Sequence, residues 1–249
     1  MSGLRVSTQD GVRVLVIDRP ARRNAFDRAT IRALGESLEA FASGRDDAPA
    51  LVLTGAGEAF CGGGDVKEMA EAADLRAHFL ALTADHHAAV LAMRRAPKPV
   101  VTAAPGVVAG GGLGLALAGD LRLAAPEARW VAAYGALGVA PDGGSTWLLP
   151  RLAGGAVAER LLLHGETLDA EKALAAGLAH RIVPRAALLA EAIGEAKRLA
   201  SAPGGGFAAS KRLLGDVDAL AAHLDRERAE NAATGASEAT RAAVAKLKR

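Results

Sequence analysis

The 249 residues are 51% apolar and 3% aromatic, and 30 basic against 28 acidic side chains leave a formal net charge of +2. That apolar fraction suffices for one large core, whereas so small a charge and so few rings argue against a nucleic-acid surface. No run of about 18 apolar residues marks a membrane span, Met1-Ser2-Gly3-Leu4-Arg5 lacks the apolar stretch of a secretory signal, and the single cysteine, Cys61, excludes an internal disulfide framework. A cytoplasmic protein is the expectation.

In chain order, Val12 to Asp18 alternates like a strand and is followed by a turn rich in Arg and Pro. A helix is predicted from about Arg28 to Phe41, with Ile31, Leu34, Leu38 and Phe41 at helical spacing and Asp27 as its N-cap. Leu51 to Thr54 reads as a strand ending in Gly55-Ala56-Gly57; Val66 to Ala73 and Ala84 to Arg95 read as helices. The strand Val100 to Ala104 precedes a glycine triplet, Leu113 to Ala118 reads as a helix, and Leu121 to Ala124 as a strand. Alternating strand and helix predict an α/β fold. From about Gly154 alanine-rich helical periodicity takes over with few strand signals. The tail from Leu213 is amphipathic, with Leu220, Leu224, Val244 and Leu247 set among charges, so it lies either on the core or on a neighbouring subunit.

Two glycine-rich segments, Ala59-Phe60-Cys61-Gly62-Gly63-Gly64-Asp65 and Ala109-Gly110-Gly111-Gly112-Leu113-Gly114, point to chemistry. Without a Cβ, glycine lets the backbone aim N–H groups at an approaching ligand, as an oxyanion hole requires. The second segment opens a predicted helix, whose first-turn N–H groups are unpaired. One such donor is worth roughly 10²–10³ in rate. Cys61 has no partner pattern of a nucleophile and reads as a small apolar filler. The pattern Gly110 to Gly114 does not fit the dinucleotide-binding G-x-G-x-x-G, and no His and carboxylate cluster has metal-ligand spacing. Basic clusters at Arg19, Arg22 and Arg23, at Arg94, Arg95 and Lys98, and at Lys211 and Arg212 are solvated faces or phosphate contacts.

These motifs, with Lys98-Pro99-Val100-Val101, Pro141-Asp142-Gly143-Gly144-Ser145-Thr146 and Ala173-Leu174-Ala175-Ala176-Gly177-Leu178, give the chain a resemblance to the crotonase (enoyl-CoA hydratase/isomerase) superfamily over nearly its whole length. The resemblance implies a spiral of ββα repeats over residues 1–190 and a C-terminal helical trimerisation region over 191–249, assembled as a trimer or a hexamer. It also implies an acyl-CoA thioester substrate, with coenzyme A carried by the substrate and no further cofactor or metal. The two oxyanion-hole amides fall on Gly64 and Gly111. Arg23, Ala59, Cys61, Asp65, Val66 and Lys67 would meet the substrate, the arginine at its phosphates.

The two glutamates of hydratases fall at Gly114 and Tyr134, neither of which is a carboxylate, so hydration is disfavoured. Asp142 falls where some isomerases and the 4-chlorobenzoyl-CoA dehalogenases keep a catalytic aspartate, and burial against an acyl chain would raise its pKa. Residues Pro141 to Arg151 resemble phenylacetate-pathway isomerases. The expected function is a double-bond shift in an enoyl-CoA, with Asp142 as base and acid. The competing readings of Asp142 are a helix N-cap or a turn residue. Tyr134 is either a wall of the acyl pocket or a strand tyrosine. His87 falls at the histidine of the dehalogenases, making hydrolysis an alternative; a non-catalytic acyl-CoA-binding protein is the other, and Asp142 turned away from the thioester would favour it.

Overall fold

A computed structural model describes residues 3–247. An antiparallel hairpin of β1 (Leu4–Gln9) and β2 (Val12–Ile17) leads into α1 (Arg28–Ala42), whose N-terminus is capped by the Asp27 carboxylate accepting from Thr30 N. Three ββα units follow. They are β3 (Leu51–Gly55), β4 (Ala59–Cys61), α2 (Val66–Glu71) and α3 (Leu75–Arg95); β5 (Val100–Ala104), β6 (Val107–Ala109) and α4 (Gly111–Leu117); and β7 (Leu121–Ala124), β8 (Arg129–Val131) and α5 (Ser145–Ala153). Beyond them lie α6 (Gly155–Leu162), β9 (Thr167–Asp169), α7 (Ala170–Ala175), β10 (Arg181–Ile182), α8 (Arg185–Ala200), α9 (Gly206–Leu214), α10 (Val217–Gly235) and α11 (Glu238–Leu247).

In every unit the first strand joins a six-stranded sheet, ordered β1-β2-β3-β5-β7-β10, and the second joins a four-stranded sheet, ordered β4-β6-β8-β9. The chain thus winds from one sheet to the other and back through a helix, which is the spiral the resemblance implied. Strands β2, β3, β5 and β7 pair in parallel and are buried on both faces. In β2, Leu15 and Ile17 enter the central core, while Val12, Val14 and Val16 pack with Leu188, Ala192 and Ile193 of α8. Helix α8 spans the 190/191 division expected from sequence.

Two sequence expectations are corrected. The three-residue strands β4, β6, β8 and β9 are too short to display a period of two, and β1 offers only Leu4 and Val6 as alternating apolar positions, neither of them buried. Helix α3 starts at Leu75 rather than Ala84, because the Asp74 carboxylate caps Ala77 N and the buried stripe Leu75, Phe79, Leu82 continues into His86. The amphipathic tail lies on its own core: α10 packs along α3, and its Leu220 and Leu224 are buried in the central core.

Candidate active site

A cavity of about 190 Å³ sits where the two glycine segments meet α10 and α11. Phe26, Val66, Met69, Phe79, Leu82 and Val139 make its apolar wall, and Gly64, Gly111, Tyr134, Asp142 and Asn231 give it polarity. The glycine segments abut closely. Gly63 has φ +93°, and a Cβ there would stand 3.1 Å from Ala109 O and 3.2 Å from Gly111 N, so a side chain would push the two loops apart. Among the described residues neither Gly64 N nor Gly111 N donates a hydrogen bond. Two uncommitted amide donors therefore border one small, mostly apolar space.

Asp142 lines the same cavity and is 8% exposed. It does not cap α5. Its backbone carbonyl accepts from Ser145 N and Oγ, and the carboxylate points back to Tyr134, whose hydroxyl donates to Oδ1 at 2.9 Å. His86 Nδ1 lies 3.8 Å from Oδ2. Burial pushes the Asp142 carboxyl up, but His86 beside it and the Tyr134 hydroxyl hold it below the ordinary carboxylate range, which reverses the rise expected from burial alone. Tyr134 itself is driven well above the usual phenol value by burial and by the Asp142 charge, so it remains a donor. It sits in a 3-10 turn, Tyr134–Ala136, rather than on a strand.

Tyr134→Phe removes a donor to this carboxylate, and hydrogen bonds to charged groups are worth about 1.5–3 kcal/mol. Asp142 then loses part of what depresses it. The acid limb of kcat/KM moves to higher pH by about one to two units in the variant. A limb that stays in place would show that the Tyr134 hydroxyl does not govern Asp142.

The Asp142 loop is held from behind by α10. The Glu227 carboxylate accepts from Gly144 N at 2.7 Å, from Thr146 N at 3.1 Å and from Thr146 Oγ1, doing at the start of α5 what an N-cap side chain does. Asn231 Nδ2 donates to Ala140 O at 2.6 Å, and Thr234 Oγ1 accepts from Ala140 N at 2.9 Å. From the other side, His87 Nε2 accepts from Gly143 N at 3.1 Å. His87 is thus an acceptor with its lone pair committed, its pKa lowered by burial to about 4. His86, His87 and Asp142 bring ligating atoms within 4.8 Å of one another. With His87 Nε2 already bound to Gly143, that donor set falls short of the three or four protein ligands zinc takes.

Burial, aided by the charge of Asp142, pushes Glu227 up to about 7 against the hydrogen bonds from Thr146 and Gly144. An acid raised on folding holds its proton in the native state where the unfolded chain has lost it. Its stabilisation is therefore complete below the unfolded value of 4.5 and is lost as pH rises towards 7. The depressed His87 slopes the opposite way between about 4 and 6.5. The effect of Glu227 is accordingly read as a difference: from pH 4.5 to 7, wild type loses up to roughly 3 kcal/mol relative to Glu227→Gln in denaturant unfolding. Parallel pH curves for the two proteins would refute this.

Of the other residues expected at the substrate, Val66 lines the cavity. Arg23 and Lys67 are exposed outside it. Asp65 is buried, caps α2 through Lys67 N and pairs with Arg19 at 2.8 Å. Ala59 is buried, its carbonyl accepting from Asn24 Nδ2 at 2.6 Å. Cys61, expected to meet the substrate, turns its thiol into the core, where burial pushes it up to about 12, so it packs rather than reacts. Part of the basic clusters is spent on the fold: Lys211 is buried against Asp120 and Met93 O, and Lys98 binds Asp46 O and Ala48 O.

Residues 7–242 match the model of the enoyl-CoA hydratase/isomerase family. The chain belongs to that family. Within the hydratase/isomerase family it is 37% identical over 225 residues to the 1,2-epoxyphenylacetyl-CoA isomerase of Escherichia coli (strain K12), covering 88% of this chain and 85% of that one. It is 35% identical over 205 residues to 4-chlorobenzoyl coenzyme A dehalogenase-2 of an Arthrobacter species, covering 80% and 73%. The crystal structure of an enoyl-CoA hydratase from Mycobacterium avium subsp. paratuberculosis K-10 matches with a TM-score of 0.87 at 28% identity, covering 99% and 96%. Family membership makes the chain one of a group of enzymes whose reactions differ, and the side chains around the site set which reaction runs.

Proposed function

We propose that the protein shifts a double bond in an enoyl-CoA thioester, with Asp142 as the only base. The observation that carries this reading is that Asp142 is the single carboxyl among the cavity-lining residues and shares that cavity with the free amides of Gly64 and Gly111. A 3-enoyl thioester bound with its oxygen at the two amides gives up a C2 proton to the Asp142 carboxylate. The electron pair moves into the thioester carbonyl, and the resulting dienolate oxygen is held by the Gly64 and Gly111 N–H groups. Asp142 returns the same proton to C4, leaving the conjugated 2-enoyl thioester. One carboxyl balances the reaction, and it needs no cofactor beyond the coenzyme A of the substrate.

Three details support isomerisation over its rivals. Hydration by two glutamates lacks both carboxylates, at Gly114 and Tyr134. His87, the histidine expected for hydrolysis of an aryl ester on Asp142, has committed its lone pair to Gly143, although His86 beside the carboxylate has no hydrogen-bond partner among the described residues. A purely binding protein would not require a carboxylate in the same apolar cavity as the two free amides. The wild-type test is ultraviolet absorbance after adding protein to a 3-enoyl-CoA: a rising conjugated 2-enoyl signal is expected, and silence despite measurable thioester binding would sink the reading. We also propose a trimer built through the C-terminal helices, supported by Leu213 and Leu214 on α9, which are 89% and 86% exposed in the single chain. A monomer in light scattering would contradict it.

A further inference from the structure

Phe79 of α3 touches both the cavity and α10. It is a buried part of the cavity wall, and its ring rests on Gly235 at the end of α10. A Cβ at Gly235 would stand 2.3 Å from Phe79 Cδ2, 2.6 Å from Cε2 and 3.0 Å from Cγ. Glycine at a helix end commonly supplies a left-handed cap, but Gly235 has no positive φ and is buried within the helix, so the backbone does not call for glycine there. The ring does, since the three atoms nearest to such a Cβ all belong to Phe79. In a close-packed interior the seat on Gly235 fixes how far Phe79 reaches into the cavity.

The cavity opens beside Ala136 and Leu247, which are exposed, and is walled by Phe26, Met69, Phe79 and Leu82, which are buried. Coenzyme A is far larger than a space of about 190 Å³ and leaves through the open side. An acyl group whose thioester oxygen lies at Gly64 and Gly111 therefore points towards the buried wall. A void of about 150 Å³ holds a six-carbon ring, which puts roughly six to eight acyl carbons in this one. We infer that Gly235, acting through Phe79, sets the upper size of the acyl group, so that the substrates are enoyl-CoA thioesters with compact acyl groups rather than long chains. This inference rests on the acyl-CoA reading of the cavity given above.

The test is calorimetric titration of the full chain with saturated straight-chain acyl-CoA thioesters from butanoyl to dodecanoyl. Saturated ligands cannot be isomerised, so the outcome is independent of the proposed reaction. Wild-type affinity is expected to rise about fourfold with each buried methylene up to about eight carbons and to gain nothing beyond. Gly235→Ala pushes the ring off its seat and shortens that limit by about one or two carbons, so octanoyl-CoA loses about tenfold in affinity and butanoyl-CoA none. Phe79→Leu, which removes the ring, lengthens the limit. In the double variant Gly235→Ala/Phe79→Leu the affinity for octanoyl-CoA returns, a rescue that damage to the packing of α10 on α3 would not produce. Wild-type affinity that climbs evenly to dodecanoyl-CoA overturns the inference, as does a folded Gly235→Ala protein with an unchanged limit. Should Gly235→Ala fail to fold, Phe79→Leu decides, and a limit that does not lengthen overturns it equally. If no thioester binds at all, the acyl-CoA reading falls as well; binding that ignores chain length removes this inference alone.

Discussion

Asp142→Asn is expected to lower the isomerisation rate by roughly 10³–10⁴-fold, the upper range for a single acid–base group, while leaving the affinity for a saturated acyl-CoA near that of wild type. The asymmetry follows from the site. Asparagine keeps the shape and can still accept from the Tyr134 hydroxyl, so the loop between Ala140 and Thr146, fixed by Glu227, Asn231 and His87, has no reason to move. What is lost is the one basic oxygen that can take a proton from C2 and return it to C4. Among the described residues no other carboxyl lines the cavity, so no described neighbour substitutes for it. The depressed pKa matters here, because it keeps Asp142 in its basic form across the neutral range. The measurement is the absorbance of the conjugated thioester for both proteins beside their binding isotherms. Equal rates would remove Asp142 as the base, and a parallel loss of binding would make it a positioning group.

The parts of this site that lie in contiguous sequence could be read from it. The glycine segments announce themselves because a Cβ there would stand within about 3 Å of another backbone, and Asp142 stands in a loop whose glycines mark it. What escaped depends on one element lying across another. Glu227 and Asn231 continue the stripe of Leu220 and Leu224 on α10 at spacings of a helical face, and polar residues continuing an apolar stripe are the available signal. Their partners, in the loop from Ala140 to Thr146, are set by how α10 rests on α3 and α5, and no local pattern encodes that. The same reason explains the reversed pKa of Asp142. Its burial was legible, but the groups that offset burial come from α3 and from the turn at Tyr134. Likewise, a histidine pair could be seen in sequence, yet only the packing shows that His86 faces the carboxylate while His87 ties down Gly143.

Restoring the hydratase carboxylate at position 114 is expected to cost the fold rather than confer hydration. A Cβ at Gly114 would stand 2.2 Å from Gly143 O and 2.9 Å from Gly143 C, contacts that require backbone to move. That backbone is pinned on both sides, Gly143 N by His87 at 3.1 Å and Gly144 N by Glu227 at 2.7 Å. Gly114→Ala should therefore lose about 1–3 kcal/mol of unfolding free energy, the usual penalty for overpacking a filled interior. Because any relief displaces the neighbouring Asp142, isomerisation falls with stability. Gly114→Glu adds to this strain a carboxylate with no partner in a buried position, and should fail to accumulate as folded protein. The loop that carries Asp142 thus occupies the space that a side chain at position 114 would need, so in this chain a carboxylate there and the observed loop exclude each other sterically. Urea unfolding of Gly114→Ala decides the matter. A wild-type midpoint would mean that the loop yields, and that its position does not bar hydration.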